Sequence, residues 1–138
     1  LARGVVEPLG GERTLEAFEV LHTVPAVGYA LRSATGIFAF SGDTGACDAM
    51  WSYLNTLPRL DWLMIDIAFP DEQAELGAVA RHYTPALLGR ELHKLHHRPE
   101  LLLTHNKPGC EEQIDRQCRS ALEGWSFRRL VRGEIIDV

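Results

Sequence analysis

The sequence predicts one α/β domain over residues 1–138, with a mixed sheet covered by helices on one face. The first forty residues contain the alternation of apolar and polar side chains that is typical of strands. Helical and strand-like segments then alternate to the C-terminus. Hydrophobic residues make up 46% of the chain, which is enough to form a real core at this length.

The predicted strands of the N-terminal part begin with Thr14–Thr23, in which Phe18 and Val20 share one face. A second strand covers Val27–Ser33. A short turn containing Gly36 leads directly into the apolar stretch that begins at Ile37. The two strands on either side of this turn are therefore expected to form an antiparallel hairpin.

The rest of the chain alternates between helices and buried strands. A helix is expected over Ala46–Asn55, closed by Pro58, and the continuous apolar run Leu60–Phe69 fits a buried strand. Thr84 and Pro85 combine an N-cap residue with proline at the first helical position. The predicted elements of this part also include a helix from Pro70 to Arg81, a helix from Thr84 onward, the strand Glu100–His105, the helix Glu111–Gly124 and a hairpin of residues 127–131 and 134–138.

Charge and cysteine content narrow the class of protein. The net charge is −5, which argues against a broad basic surface for nucleic acid, so nucleic acid is not the expected partner. No apolar run is long enough to span a bilayer, and no signal peptide is recognisable. The three cysteines lack paired spacing, which fits a reducing compartment and predicts a cytoplasmic protein.

Polar residues occur where the predicted strands end: His22, Asp43, Asp66 and His105. Open α/β sheets place their functional sites at such ends. His22, Asp43 and a further candidate, His82, also have plainer explanations, whereas His105 is less easily explained as a structural residue. His22 could be an inert strand histidine, Asp43 could be a turn aspartate or the N-cap of the next helix, and His82 could interact with a helix C-terminus.

Histidines and an aspartate at several strand ends together suit a borderline metal ion such as Zn²⁺. A carboxylate has two oxygens and can bridge two ions. This would explain an acid at position 43, where Gly42 and Gly45 allow the backbone to turn tightly. A pair of ions can bind a phosphoryl group and generate hydroxide.

Five segments occur in the order HTVPAVGY, SGDTG, LMIDIAFPD, HYTP and LTHNKP. In this order they resemble the C-terminal half of a metallo-β-lactamase-fold hydrolase. Within that superfamily the chain is most similar to class II cyclic-nucleotide phosphodiesterases and next to ribonuclease Z. The resemblance implies that residues 1–138 form half of an αβ/βα sandwich and belong to a larger domain.

The resemblance also implies a ligand set. His22 and His105 would each ligate one of two divalent metal ions, and Asp43 would bridge both. Zn²⁺ is the expected metal, with Mn or Fe as alternatives. Hydroxide generated at the two ions would then attack a phosphodiester, with a 3′,5′-cyclic nucleotide as the expected small-molecule substrate.

Three further residues receive roles from the same resemblance. His82 would lie near the scissile phosphate and donate a proton or stabilise charge. Lys107 matches a lysine that follows the last histidine of the relatives and would contact the phosphate. Asp66 falls where relatives often carry glutamate and would support the residues that bind metal.

One signature of the superfamily, His-x-His-x-Asp-His, is missing from the sequence. Because that motif supplies four metal ligands, the isolated chain is expected to be inactive, although the intact protein would be a metallohydrolase. A ribonuclease Z-like or other hydrolase of the same fold remains an alternative. The other alternative is a non-catalytic half-domain that uses its apolar sheet face to pair with a partner or with itself as a homodimer.

Overall fold

A computed structural model describes residues 4–138. Seven strands form one sheet in which the spatial order follows the chain order. The strands are β1 (Val6–Gly10), β2 (Arg13–Glu19), β3 (Val27–Arg32), β4 (Ile37–Phe40), β5 (Trp62–Asp66), β6 (Glu100–Thr104) and β7 (Phe127–Arg129).

Four α-helices connect the strands of the second half of the chain. They are α1 (Asp48–Thr56), α2 (Ala74–Ala80), α3 (Pro85–Glu91) and α4 (Glu111–Ala121), with short 3₁₀ turns at Asp71–Gln73 and Leu92–Lys94. Thr84 caps α3 as predicted, because its hydroxyl accepts a hydrogen bond from the Leu87 N–H. In the described residues no helix is both long and apolar enough to cross a membrane.

The sheet changes character at β4. Strands β1 to β4 pair antiparallel, whereas β4 to β7 pair parallel, so the sheet is mixed as predicted. The predicted β3–β4 hairpin is confirmed, with Tyr29 opposite Phe40 and Arg32 opposite Ile37. The parallel connections contain α1, α2, α3 and α4, as a crossover between parallel strands requires.

One hydrophobic core lies between the helices and one face of the sheet. Side chains in register on that face include Ala30, Ala39, Leu63 and Leu101, and each is fully buried. The helices contribute a larger set of buried apolar side chains: Met50, Trp51, Leu54, Leu88, Ile114 and Cys118. The opposite face carries a row of half-buried apolar side chains: Tyr29, Leu31, Phe38, Phe40, Trp62 and Met64.

Both edges of the sheet differ from the sequence prediction. β1 was not predicted, and it forms a hairpin with β2 through Gly10 and Gly11, which both have positive φ. The predicted C-terminal hairpin is wrong, because β7 pairs parallel with β6 and residues 130–138 form no strand. Charged and polar residues interrupt the apolar alternation after residue 129. The regular stretch before them, Phe127–Arg129, pairs with β6.

The predicted helices exist with shorter bounds. α1 begins at Asp48 rather than Ala46, and the helix expected from Pro70 is a 3₁₀ turn followed by α2. α2 ends at Ala80 because Arg81 adopts a left-handed conformation. This early ending directs the next residue, His82, back toward the sheet.

Candidate metal centre

The topology brings four strand ends to one edge of the sheet. The same direction is shared by β2, β4, β5 and β6. β3 is antiparallel to both β2 and β4, and β4, β5 and β6 pair parallel with one another in order. The polar residues that follow or end these strands therefore share the carboxyl edge: His22, Asp43, Asp66 and His105. This is the edge at which open α/β sheets hold their sites.

Three of the predicted site residues could hold a metal ion together. Ligand atoms of His22, Asp43 and His82 all lie within 4.8 Å of one another. His22 and Asp43 are half-buried, while His82 is buried. Two imidazole nitrogens and a carboxylate oxygen form a donor set that suits Zn²⁺ and similar ions.

His105 joins this cluster from the end of β6. Its Nδ1 lies 3.6 Å from Asp43 Oδ1, and its ring stacks on His82 with ring centroids 5.0 Å apart. The His22 ring contacts His82 edge-on, also with centroids 5.0 Å apart. His82 thus contacts both histidines that the family resemblance implies as metal ligands.

Asp66 is the partner of His82. Its Oδ2 lies 2.5 Å from His82 Nδ1 and accepts a hydrogen bond from the Thr44 N–H at 3.0 Å. The Asp66 side chain is 1% exposed, and its Oδ1 has no hydrogen-bond partner among the described residues. Because Nδ1 of His82 is taken by Asp66, the other ring nitrogen, Nε2, remains for a ligand or a substrate.

Burial sets the protonation of this pair. It is the largest cause that raises the pKa of the Asp66 carboxyl to about 7, and the Thr44 N–H acts in the opposite direction. Burial also lowers the pKa of His82, an effect that the Asp43 charge opposes. Both shifts favour the uncharged forms, so the pair readily holds one proton near neutral pH.

The SGDTG turn is fixed from both sides, which positions Asp43. The Ser41 hydroxyl accepts a hydrogen bond from the Asp66 N–H at 3.1 Å. The Thr44 hydroxyl accepts from the Leu21 N–H at 3.1 Å, and the Gly45 N–H donates to the Leu21 carbonyl at 2.9 Å. The turn is therefore attached both to β5 and to the segment that carries His22.

The plainer explanation of Asp43 as a helix cap is wrong. The residue before α1 is Cys47, which forms no side-chain cap. Among the residues that the structure describes, the Asp43 carboxylate contacts His105 and forms no hydrogen bond within its own turn. Its charge is thus available to the cluster.

Lys107 lies at the border of the site. Its Nζ lies 5.2 Å from the centre of the Phe69 ring, and Phe69 in turn contacts His82 edge-on at 5.7 Å. The Lys107 N–H donates to the Ala68 carbonyl at 3.0 Å. In addition to burial, the charge of the ammonium group contributes to lowering the pKa of His82.

Sequence reasoning missed the contribution of Thr44 and Arg81. The Thr44 N–H donates to Asp66, and its hydroxyl accepts from Leu21, next to His22. Thr44 is completely buried, and nothing in the SGDTG segment indicated this burial. Arg81 exchanges two hydrogen bonds with His22, from a position that sequence alone marks as the end of a helix. Only the fold shows this contact, since 59 positions separate the two residues.

Comparison with known proteins bears on the fold of the chain. The chain is 32% identical over 117 residues to ribonuclease Z of Thermobifida fusca strain YX. The aligned region covers 81% of this chain and 36% of the relative. The chain thus spans about a third of the length of that curated relative. No protein-family model matches the chain.

Solved structures share the fold at low identity. The metallo-β-lactamase-fold protein YhfI from Bacillus subtilis superposes with a TM-score of 0.76 at 17% identity, over 94% of this chain and 51% of that protein. Human tRNase Z, short form, gives a TM-score of 0.67 at 15% identity, over 91% of this chain and 43% of that protein. Igni18, a metallo hydrolase from Ignicoccus hospitalis, gives a TM-score of 0.68 at 14% identity, over 97% of this chain and 57% of that protein. The chain therefore has the metallo-β-lactamase fold over about half of the length of these proteins.

Proposed function

We propose that this chain contributes to a metal-dependent phosphodiester hydrolase. The observation that carries the proposal is the convergence of His22, Asp43, His82 and His105 at the carboxyl edge of the sheet. The donor set is that of a borderline divalent ion. Beside it, Asp66 Oδ1 is buried and has no hydrogen-bond partner in the part of the chain that the structure describes. A dinuclear Zn²⁺ site fits these residues.

His22 and His105 would supply one nitrogen each, and Asp43 would supply both of its oxygens. Divalent ions held there would polarise a phosphoryl group and lower the pKa of a water molecule. His105 and Asp43 are partly exposed, at 38% and 44% of their side-chain surface, so a substrate can reach them. The exposed edge therefore provides both the ligands and an entrance.

His82 and Asp66 would handle a proton in this reaction. The pair lies in hydrogen-bond contact, and its burial favours a shared proton near neutral pH. With the shared proton between Asp66 and Nδ1, the neutral imidazole of His82 carries its own hydrogen on Nε2. His82 can donate that hydrogen to the departing oxygen while Nδ1 takes the proton from Asp66. Lys107 would contribute a positive charge near the phosphate.

Two substrate classes deserve a direct comparison. The cyclic nucleotide is the expectation from the sequence motifs, while the likeness to a ribonuclease Z favours an RNA phosphodiester. A cleft of about 530 Å³ beside His22, lined by residues 19–27, offers space for an organic group next to the cluster. Both a nucleoside and an RNA end carry such a group.

The metal assignment is tested with Asp43→Ala in the complete gene product, with Asp48→Ala as a control. Asp48 is an acid on α1 whose side chain is 84% exposed, so its removal changes the net charge equally. We expect about two metal ions per chain in the wild type and in Asp48→Ala. Asp43→Ala should lose metal and turnover together, and full metal content in this variant would refute the bridge.

The substrate is tested by offering 3′,5′-cyclic AMP and a tRNA precursor with a 3′ extension to the same preparation. Cleavage of the precursor alone would establish the RNA alternative and exclude the cyclic-nucleotide one. Cleavage of the cyclic nucleotide alone would establish the reverse. A wild-type protein that binds no metal would exclude both and support a non-catalytic half-domain.

A further inference from the structure

Arg81 adopts a backbone conformation that normally favours glycine. Its φ is 57° and its ψ is 59°, and its N–H closes the end of α2 by donating to the Gly77 and Ala78 carbonyls. A residue with a Cβ is strained in this left-handed region, whereas glycine is not. Since glycine would end the helix at lower cost, the Arg81 side chain calls for a separate explanation.

The side chain and the carbonyl of Arg81 both contact His22. The guanidinium Nη1 donates to the His22 carbonyl at 2.6 Å, and His22 Nδ1 lies 3.4 Å from the Arg81 carbonyl. A carbonyl oxygen only accepts hydrogen bonds, so this contact is a hydrogen bond only in the tautomer with hydrogen on Nδ1. In that tautomer the Nε2 lone pair of His22 is free to bind a metal ion.

The turn that carries Asp43 packs against the same residue. A Cβ placed on Gly45 would lie 3.2 Å from Arg81 Cα and 3.3 Å from its carbonyl carbon. The Arg81 backbone thus touches the segment after Asp43 and directly precedes His82 in the chain. One residue connects all three members of the cluster.

We propose that Arg81 is a positioning residue for the metal centre. Its guanidinium fixes the backbone of His22, and its carbonyl holds the imidazole in the tautomer with hydrogen on Nδ1. The left-handed backbone places that carbonyl where His22 can reach it. The role in metal binding rests on the proposed function, whereas the effect on the His22 tautomer does not.

The test uses Arg81→Gly, which keeps the carbonyl and relieves the backbone cost while it removes the guanidinium. Glu12→Gly is a matched control, because Glu12 also has a positive φ, of 61°, in the β1–β2 turn away from the site. Arg81→Lys restores a positive donor on a flexible side chain. All variants are prepared as the 138-residue chain, metal-free and with added Zn²⁺.

Two readouts are measured. Nitrogen-15 NMR of the metal-free protein gives the His22 tautomer, and competition with a chromophoric chelator gives the affinity for Zn²⁺. In Arg81→Gly we expect the Nε2–H tautomer of His22 to gain population and the Zn²⁺ affinity to fall about tenfold. Glu12→Gly should match the wild type in both readouts, and Arg81→Lys should recover part of the loss.

The outcomes distinguish the orientation of His22 by Arg81 from the existence of the metal centre. A wild-type tautomer and wild-type Zn²⁺ affinity in Arg81→Gly would overturn the role of Arg81. A wild-type chain that binds no Zn²⁺ would overturn the metal centre, while the tautomer would still decide whether Arg81 orients His22. An equal change in Glu12→Gly would show that a general backbone effect, and not the guanidinium, is responsible.

Discussion

Replacing Thr44 by valine tests how the turn that carries Asp43 is held. Thr44 is fully buried, and its hydroxyl accepts from the Leu21 N–H at 3.1 Å and donates to the Gly45 carbonyl at 2.9 Å. Valine has nearly the same shape but no hydroxyl, so it leaves both backbone groups without this partner. The hydrogen bond from the Thr44 N–H to Asp66 is unaffected, because it comes from the backbone.

The expected loss follows from these two contacts. Leaving a partly buried N–H without its acceptor costs about 1–3 kcal/mol, and the Gly45 carbonyl adds to this, so we expect Thr44→Val to lower the free energy of unfolding by about 2 kcal/mol. Thr44→Ser keeps the hydroxyl and removes one methyl group. That deletion should cost only about 1 kcal/mol.

Urea denaturation of the metal-free chain, followed by circular dichroism, measures both free energies. Zn²⁺ titration of the same samples should show a loss of affinity of about tenfold in Thr44→Val, because the turn and the His22 segment are no longer tied together. A valine variant that is as stable as the wild type, or more stable than the serine variant, would show that the hydroxyl does not anchor this turn.

Two further predictions concern packing and cysteine chemistry. Gly89→Ala should destabilise the protein by about 1–3 kcal/mol in thermal unfolding, because its Cβ would lie 2.4 Å from the Ala121 carbonyl oxygen, and this clash outweighs the gain in helix propensity of about 1 kcal/mol. Burial raises the pKa of the Cys118 thiol to about 12, so iodoacetamide at pH 8 should modify the half-buried Cys110 and leave Cys118 unmodified in mass spectrometry of the native protein.

Each of these predictions has a contrary result. A stabilised Gly89→Ala variant would mean that α3 and α4 separate at little cost. Rapid modification of Cys118 at a rate equal to that of Cys110 would mean that α4 opens readily from the sheet. Modification of Cys118 in urea serves as the positive control for its reactivity.

The order and type of most elements could be predicted from local patterns. Strand alternation in β2 and β3, the apolar run of β5 and the Thr84–Pro85 helix start are local features, and the structure retains them. β1 and the ends of the helices were not predictable in this way. β1 is exposed throughout and lacks an apolar face, and α2 ends because of the left-handed conformation of Arg81 rather than because of a glycine.

The candidate site was visible in the sequence as a set of residue types but not as an arrangement. His22, Asp43, Asp66 and His105 stand at predicted strand ends, and the edge rule for open sheets was sufficient to group them. The sequence could not show that His82 contacts two other histidines and Asp66, since that requires the ending of α2 and the packing of its last turn.

The sequence by itself determined the fold class, the alternation of helices and strands and the identity of the groups that can bind metal, because these depend on side-chain chemistry and short-range periodicity. Only the tertiary structure decided which atoms meet. The Thr44 and Arg81 contacts join segments far apart in the chain, and their geometry depends on the parallel register of β4, β5 and β6. Local sequence carries no record of such distances, because they arise from the packing of the whole sheet.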